Sequence, residues 1–166
     1  MAFSTLDSDL YVNGSLTARS VVLPESSVTN ASVQAAAGIN ASKLEHQHQP
    51  ALVLSDHATD VAAVRKVIHR VKGATADIVD FRIGCTVAAT STGTATFQLK
   101  KNGSNILSAA ITLDSGTAAF GTVAAAGYTS TELVAGDVLE VEVLTATGST
   151  LPKGVFAALT VREDAA

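Results

Sequence analysis

The sequence predicts an all-β fold, an antiparallel β-sandwich preceded by an extended N-terminal arm, and three observations point there. Beyond Asp77 the chain falls into short segments in which apolar and polar side chains alternate. Gly and Asn-Gly steps recur where such segments must reverse. The first half lacks that alternation and is rich in Gly, Ala, Ser and Thr. The expected organisation is an interaction arm over residues 1–63, with short strands or helical turns, and a sandwich over residues 64–163.

In chain order, residues 9–12 and 19–23 are short extended segments around Asn13-Gly14-Ser15, a turn-prone step because both Asn and Gly tolerate positive φ. They are too short to form an independent sheet and need a neighbour. Residues 24–50 are Ser-, Ala-, Asn- and Gln-rich, with two helical turns expected, one capped by Ser32 over 33–37 and the next by Asn40 or Ser42. An arm laid over another subunit is the alternative. Residues 60–72 fit either a helical stripe (Val61, Val64, Ile68, Val71) or a strand, and the β-branched content of Val67, Ile68 and Val71 favours a strand from near Val64.

Residues 78–87 put Phe81, Ile83, Cys85 and Val87 on one strand face and Asp80, Arg82 and Thr86 on the other. Residues 94–101 and 106–113 keep the same period on either side of Asn102-Gly103, which predicts a hairpin. Gly116 and Gly121 bracket a weaker strand over 120–124, and Ala135-Gly136-Asp137 marks another reversal. Residues 138–145 set Leu139, Val141 and Val143 inward, and residues 155–161 do the same with Val155, Ala157, Leu159 and Val161. Six strands, a seventh over 64–72 and short N-terminal ones suit a jelly roll, and an Ig-like arrangement fits the same pattern.

A chain of 166 residues accommodates one ordinary domain plus an arm or a very small second module. With 47% hydrophobic but only 4% aromatic residues and no Trp, the core must rest on Val, Leu, Ile and Ala, and multimer contacts would help offset the ordering entropy. The net charge of −4 and the modest Arg65, Lys66, Arg70, Lys72 cluster argue against direct nucleic-acid binding. Cys85 is the only cysteine, so no intrachain disulfide is possible, and its place on an apolar face reads as a buried thiol. The first residues show neither a basic n-region nor an apolar h-region and no later stretch is long enough to span a bilayer, so assembly in a reducing cytoplasm is expected, with no membrane partner.

The sharpest chemical feature is His46-Gln47-His48. In an extended backbone both imidazoles point the same way, and three copies around a trimer axis would offer six nitrogens to a transition metal. A polar interface or a solvated linker is the plainer account. Ser55-Asp56-His57 holds the residue types of a hydrolase triad, but neighbours in sequence do not form that relay, and no Gly-x-Ser-x-Gly elbow is present. Asp77, Asp80 and Asp114 lack an EF-hand loop. The Asn-x-Ser matches at Asn13, Asn30, Asn40 and Asn102 are turn-prone steps rather than expected glycan sites. Residues 88–94 and 124–131 form Gly/Ala/Thr-rich surface that could touch host carbohydrate, with Tyr128 its one aromatic platform for stacking on a sugar; plain loop flexibility is the simpler account. No enzyme activity and no cofactor are expected.

The run Ala95-Thr96-Phe97-Gln98-Leu99-Lys100-Lys101-Asn102-Gly103-Ser104-Asn105-Ile106-Leu107, followed by Ala135-Gly136-Asp137-Val138-Leu139-Glu140-Val141 and Pro152-Lys153-Gly154, resembles small β-sandwich modules of tailed-bacteriophage virion proteins. The segment from Ile39 to Gln49 also looks like an N-terminal region carried by such proteins. The resemblance covers about two thirds of the chain, favours strand over helix at residues 64–72, and implies a jelly-roll-like sandwich rather than the Ig-like arrangement. It implies a capsid cement or decoration protein, a homotrimer on the capsid surface that binds the major capsid protein; a head or tail fibre module binding a host receptor or glycan is the alternative. On that footing Phe3, Leu6, Leu10, Tyr11 and Val22 are expected interface anchors, or else they complete the domain's own sheet.

Overall fold

The computed structural model describes residues 46–164, and the chain divides at Ile39/Asn40, with every described strand in the unit Asn40–Ala166. The expected strands and helical turns before residue 46, and the anchors Phe3, Leu6, Leu10, Tyr11 and Val22, lie outside the described residues. Those described contain no helix and eleven strands: β1 (His46–His48), β2 (Ala51–Val53), β3 (Arg65–Arg70), β4 (Thr75–Val87), β5 (Thr94–Lys101), β6 (Ser104–Asn105), β7 (Ile111–Leu113), β8 (Thr122–Ala124), β9 (Glu132–Val134), β10 (Val138–Thr147) and β11 (Lys153–Glu163). Every pairing is antiparallel. One sheet runs β1-β11-β4-β8, with β2 also on β11 and β9 also on β4; the other runs β3-β10-β5-β6, with β7 also on β5. β1 and β2 thus join the sandwich from a position ahead of the expected boundary at 63/64.

Three of the rails are interrupted: β1 with β2, β6 with β7 and β8 with β9 each share a single partner strand. Counting each as one position leaves eight, and the pairings then nest. The first position pairs with the last (β11), β3 with β10, β4 with the β8/β9 rail, and β5 with the β6/β7 rail. The chain is therefore one long two-stranded ribbon, folded over so that β11 also pairs with β4 and β10 with β5. That is the jelly-roll sandwich, and it needs no sheet edge in its interior.

Alternation builds the core as expected. Phe81, Ile83 and Cys85 of β4 face Phe97 and Leu99 of β5, Leu139 and Val141 of β10, and Val155, Ala157, Leu159 and Val161 of β11, all buried. The expected hairpin is present: Asn102 and Gly103 both take positive φ (49° and 87°), and Lys101 pairs with Ser104 across the two-residue turn. The Asn102 side chain also accepts from the Val138 N–H (2.9 Å) and donates to Asp137 (2.6 Å), tying this turn to the reversal at Gly136.

Two segments depart from the expected pattern. Residues 106–113 are not one strand, because Ile106 and Leu107 are both buried and consecutive residues of a flat strand cannot share a face. The chain kinks there, and the buried Gln98 carboxamide oxygen stands in for the ladder, accepting from the Leu99 and Leu107 N–H groups at 3.1 and 3.0 Å. Phe120 is not in a strand but in a turn with φ of 60°, its side chain exposed and its N–H donating to the Cys85 carbonyl.

Three ladders carry an extra residue. The register passes from Thr160↔Asp80 to Val161↔Ile78, from Val143↔Phe97 to Thr145↔Thr96, and from Leu139↔His69 to Glu140↔Val67. Val79, Leu144 and Ile68 are the bulged residues, and the first two are exposed although apolar.

Candidate functional site

The inward face of β11 does not stop at Val161. Two residues on, Glu163 holds the next inward position and is 3% exposed, a carboxylate set at the end of an apolar row. Three donors make this tolerable. The His69 ring nitrogen Nε2 lies 2.5 Å from Oε1, while the backbone N–H groups of Lys72 and Gly73 donate to Oε2 at 3.1 and 2.7 Å. Burial pushes the Glu163 pKa up, but those three hydrogen bonds outweigh it and hold the carboxyl below the usual glutamate range.

His69 gets there through β3, at the edge of the second sheet, opposite the buried Leu139 of β10. The histidine pair comes from β1, at the edge of the first sheet, where His46 lies opposite Glu163 and His48 opposite Val161. Directly opposed residues share a sheet face, so both imidazoles are on the inner side of β1, as the extended backbone predicted. Their rings stack at 6.3 Å between centroids, and His48 continues to His69 at 5.7 Å. The imidazoles thus bridge the open side of the sandwich, from one sheet edge to the other.

Beside them is a cavity of about 470 Å³ lined by His48, Val67, Ile68, His69, Arg70, Lys72 and Glu163. The bulge at Ile68 helps shape it, since the extra residue brings Ile68 to the cavity wall. Among the described residues no group of three or more His, Cys, Asp or Glu is arranged to hold a metal ion. The ligand set expected at a trimer axis for His46 and His48 needs other copies to complete it, and within one chain their ring stack leads to His69.

The other chemically suggestive residues have structural partners. Ser55 Oγ accepts from the Val155 N–H (3.0 Å), and His57 Nδ1 is 2.7 Å from Thr86 Oγ1, so each is engaged with a separate element. Asp77 pairs with Arg162 and Asp80 with Arg82, while Asp114 accepts from the Gly116 N–H. The Cys85 thiol is fully buried and burial pushes its pKa up, opposite to what a nucleophilic thiolate needs. Tyr128 is half-buried with its pKa raised, by burial first and by Asp80 second, and it forms a bridge with Leu107.

His46 and His48 were legible in the sequence as a pair. His69 and Glu163 were not, although extending the period of residues 155–161 by one more step would have reached Glu163.

No family model matches the chain, and no curated protein matches it. Among solved structures it is similar to the EclA C-terminal domain, a sugar-binding protein, at 18% identity over 83% of this chain and 98% of that one, with a TM-score of 0.32.

Proposed function

We propose that this chain is a non-enzymatic bacteriophage decoration protein, a homotrimer that binds the major capsid protein and stabilises the head shell from the virion surface. The observation that supports it most directly is an apolar strip on the outer face of the first sheet. Val53 lies opposite Phe156, and Phe156 opposite Gly84; in the next outward row Ala51 lies opposite Ala158. Gly84 has a reason to be glycine here, because a Cβ at that position would come within 2.5 Å of the Phe156 ring. The tip of the ring thus reaches over Gly84 of the neighbouring strand, and beside it Val53 is 58% exposed. Such a face gains about 25 cal/mol for each Å² removed from water, and association between copies removes it.

The partners taken by Ser55 and His57 and the burial of the Cys85 thiol favour a structural role over a catalytic one. Residues 1–23, with Phe3, Leu6, Leu10, Tyr11 and Val22, supply the anchors for the shell.

Electron microscopy of intact particles tests this. A decoration protein is seen as knobs at fixed high copy number on the shell, and deletion of residues 1–23 lowers shell occupancy while the sandwich stays folded. A few copies confined to the tail, or binding to susceptible cells and surface polysaccharide without shells, would instead identify the fibre-module alternative.

A further inference from the structure

We infer that the cavity between the β1 and β3 edges binds an acidic sugar unit, a six-membered ring bearing a carboxylate, with Arg70 and Lys72 as the anion's partners. Nine lysines and arginines fall among the described residues. Seven of them reach a carboxylate or a backbone carbonyl. Arg70 and Lys72 are the two whose side chains have no acceptor among the described residues, and both line this one cavity. In a chain of net charge −4, two unpaired cations side by side at a concave site are the places where an anion gains most. Glu163 also lines the cavity, but its hydrogen bonds go to His69 and to the backbone N–H groups of Lys72 and Gly73 and not to the Arg70 or Lys72 side chain.

The remaining walls set the rest of the ligand. Val67 and Ile68 offer aliphatic surface, and the tilted His48 and His69 rings offer flat faces, the surroundings that accept the C–H face of a sugar ring. A cavity of about 470 Å³ holds one or two such rings. Arg70 supplies a planar fork suited to a carboxylate and Lys72 a point charge. A bare anion would leave the apolar wall wet, and a neutral sugar would leave both cations without a partner. This inference goes beyond the decoration role and holds wherever on a particle the protein sits.

The test is a titration of the full isotope-labelled chain, followed by NMR, with D-glucuronate, D-glucose, acetate and a triglutamate peptide. The expected result is saturable shifts of the residue 67–73 amides by glucuronate, with a dissociation constant on the order of 1–10 mM. Glucose and acetate bind about tenfold more weakly or not at all, and rising salt weakens glucuronate binding. Arg70→Gln and Lys72→Gln each weaken glucuronate binding about fivefold to tenfold, whereas Arg82→Gln, whose parent pairs with Asp80, leaves it unchanged. If one variant fails to fold, the other and the salt series still decide. Equal binding of glucose and glucuronate, unchanged affinity in Arg70→Gln or Lys72→Gln, acetate binding as tightly as glucuronate, no shift with glucuronate, or stronger shifts with triglutamate would each overturn the assignment.

Discussion

Glu163 has the inward position of a core residue and the chemistry of a surface one, so its energetics depend on its three donors. Breaking that set leaves the His69 ring and the Lys72 and Gly73 N–H groups competing for fewer acceptor sites in a place with little water. Glu163→Gln keeps the shape but removes the charge and turns one acceptor into a donor. It is expected to lower unfolding stability at about pH 7 by about 1–3 kcal/mol in denaturant titrations. The pH dependence fixes the sign. The folded pKa lies below the ordinary glutamate value, so the contribution is present above that value and is lost as pH falls through the folded one. The gap between parent and Glu163→Gln melting temperatures is therefore largest near neutrality and closes in acid solution below the ordinary glutamate value, read by calorimetry. A gap that stays constant through the acid range would show that shape, not ionisation, matters at this position. That this carboxylate was not legible in the sequence has a plain cause: a charged residue following an apolar row reads as the end of a strand, and the backbone amides that make it tolerable come from residues 72 and 73, about ninety positions away.

At the scale of the element, periodicity was a reliable guide wherever a strand was long enough to repeat it. Residues 94–101 were bounded correctly because Ala95, Phe97 and Leu99 alternate and Asn102-Gly103 ends them. β1, β2 and β9 have three residues each, too few to show a period, and their place comes from the long β11 and β4 they lie against. Bulges hide for a related reason, since an extra residue shifts the phase and makes one strand look like the end of it. In β4 the inward set runs Ala76, Ile78 and then Phe81, Ile83, Cys85, with Val79 absorbing the shift. Deleting Val79 leaves Ile78 and Phe81 two apart and still on one face. That variant is expected to fold, with a loss of about 1–3 kcal/mol. Deleting Arg82 instead makes Phe81 and Ile83 consecutive and turns one end of the strand inside out, so the purified protein should lack the cooperative melting transition. Folding of both deletions, or of neither, as judged by circular dichroism and thermal melts, would rule out Val79 as the phase-absorbing residue.

For the molecule as a whole, the nested pairing places both ends of the described chain on one side of the first sheet, with His46 directly opposite Glu163. Sequence periodicity tells which side chains face inward but not which strand is the neighbour, so a jelly roll and an Ig-like order could not be separated until the pairings were known. The outer face of that sheet is where self-association belongs energetically. The strip of Ala51, Val53, Phe156 and Ala158 has no charge of its own, while Arg82 and Arg162 beyond it are paired with Asp80 and Asp77. One carboxylate placed in the strip tests the proposal without touching the core. Val53 is exposed in the single chain, so Val53→Asp is expected to change the unfolding stability of the isolated subunit, measured at a dilution where both proteins are monomers, by no more than about 0.5 kcal/mol. Buried between copies, the same carboxylate would lose most of its water with only the Lys66 ammonium, already bonded to the Val53 carbonyl, beside it, at a cost of several kcal/mol per chain, enough to separate a trimer held by modest patches. Sedimentation equilibrium should accordingly give a trimer for the parent and a monomer for Val53→Asp at equal concentration, and the variant should occupy fewer shell sites. A parent that sediments as a monomer at all concentrations, or a variant that remains trimeric, would remove this face from the assembly.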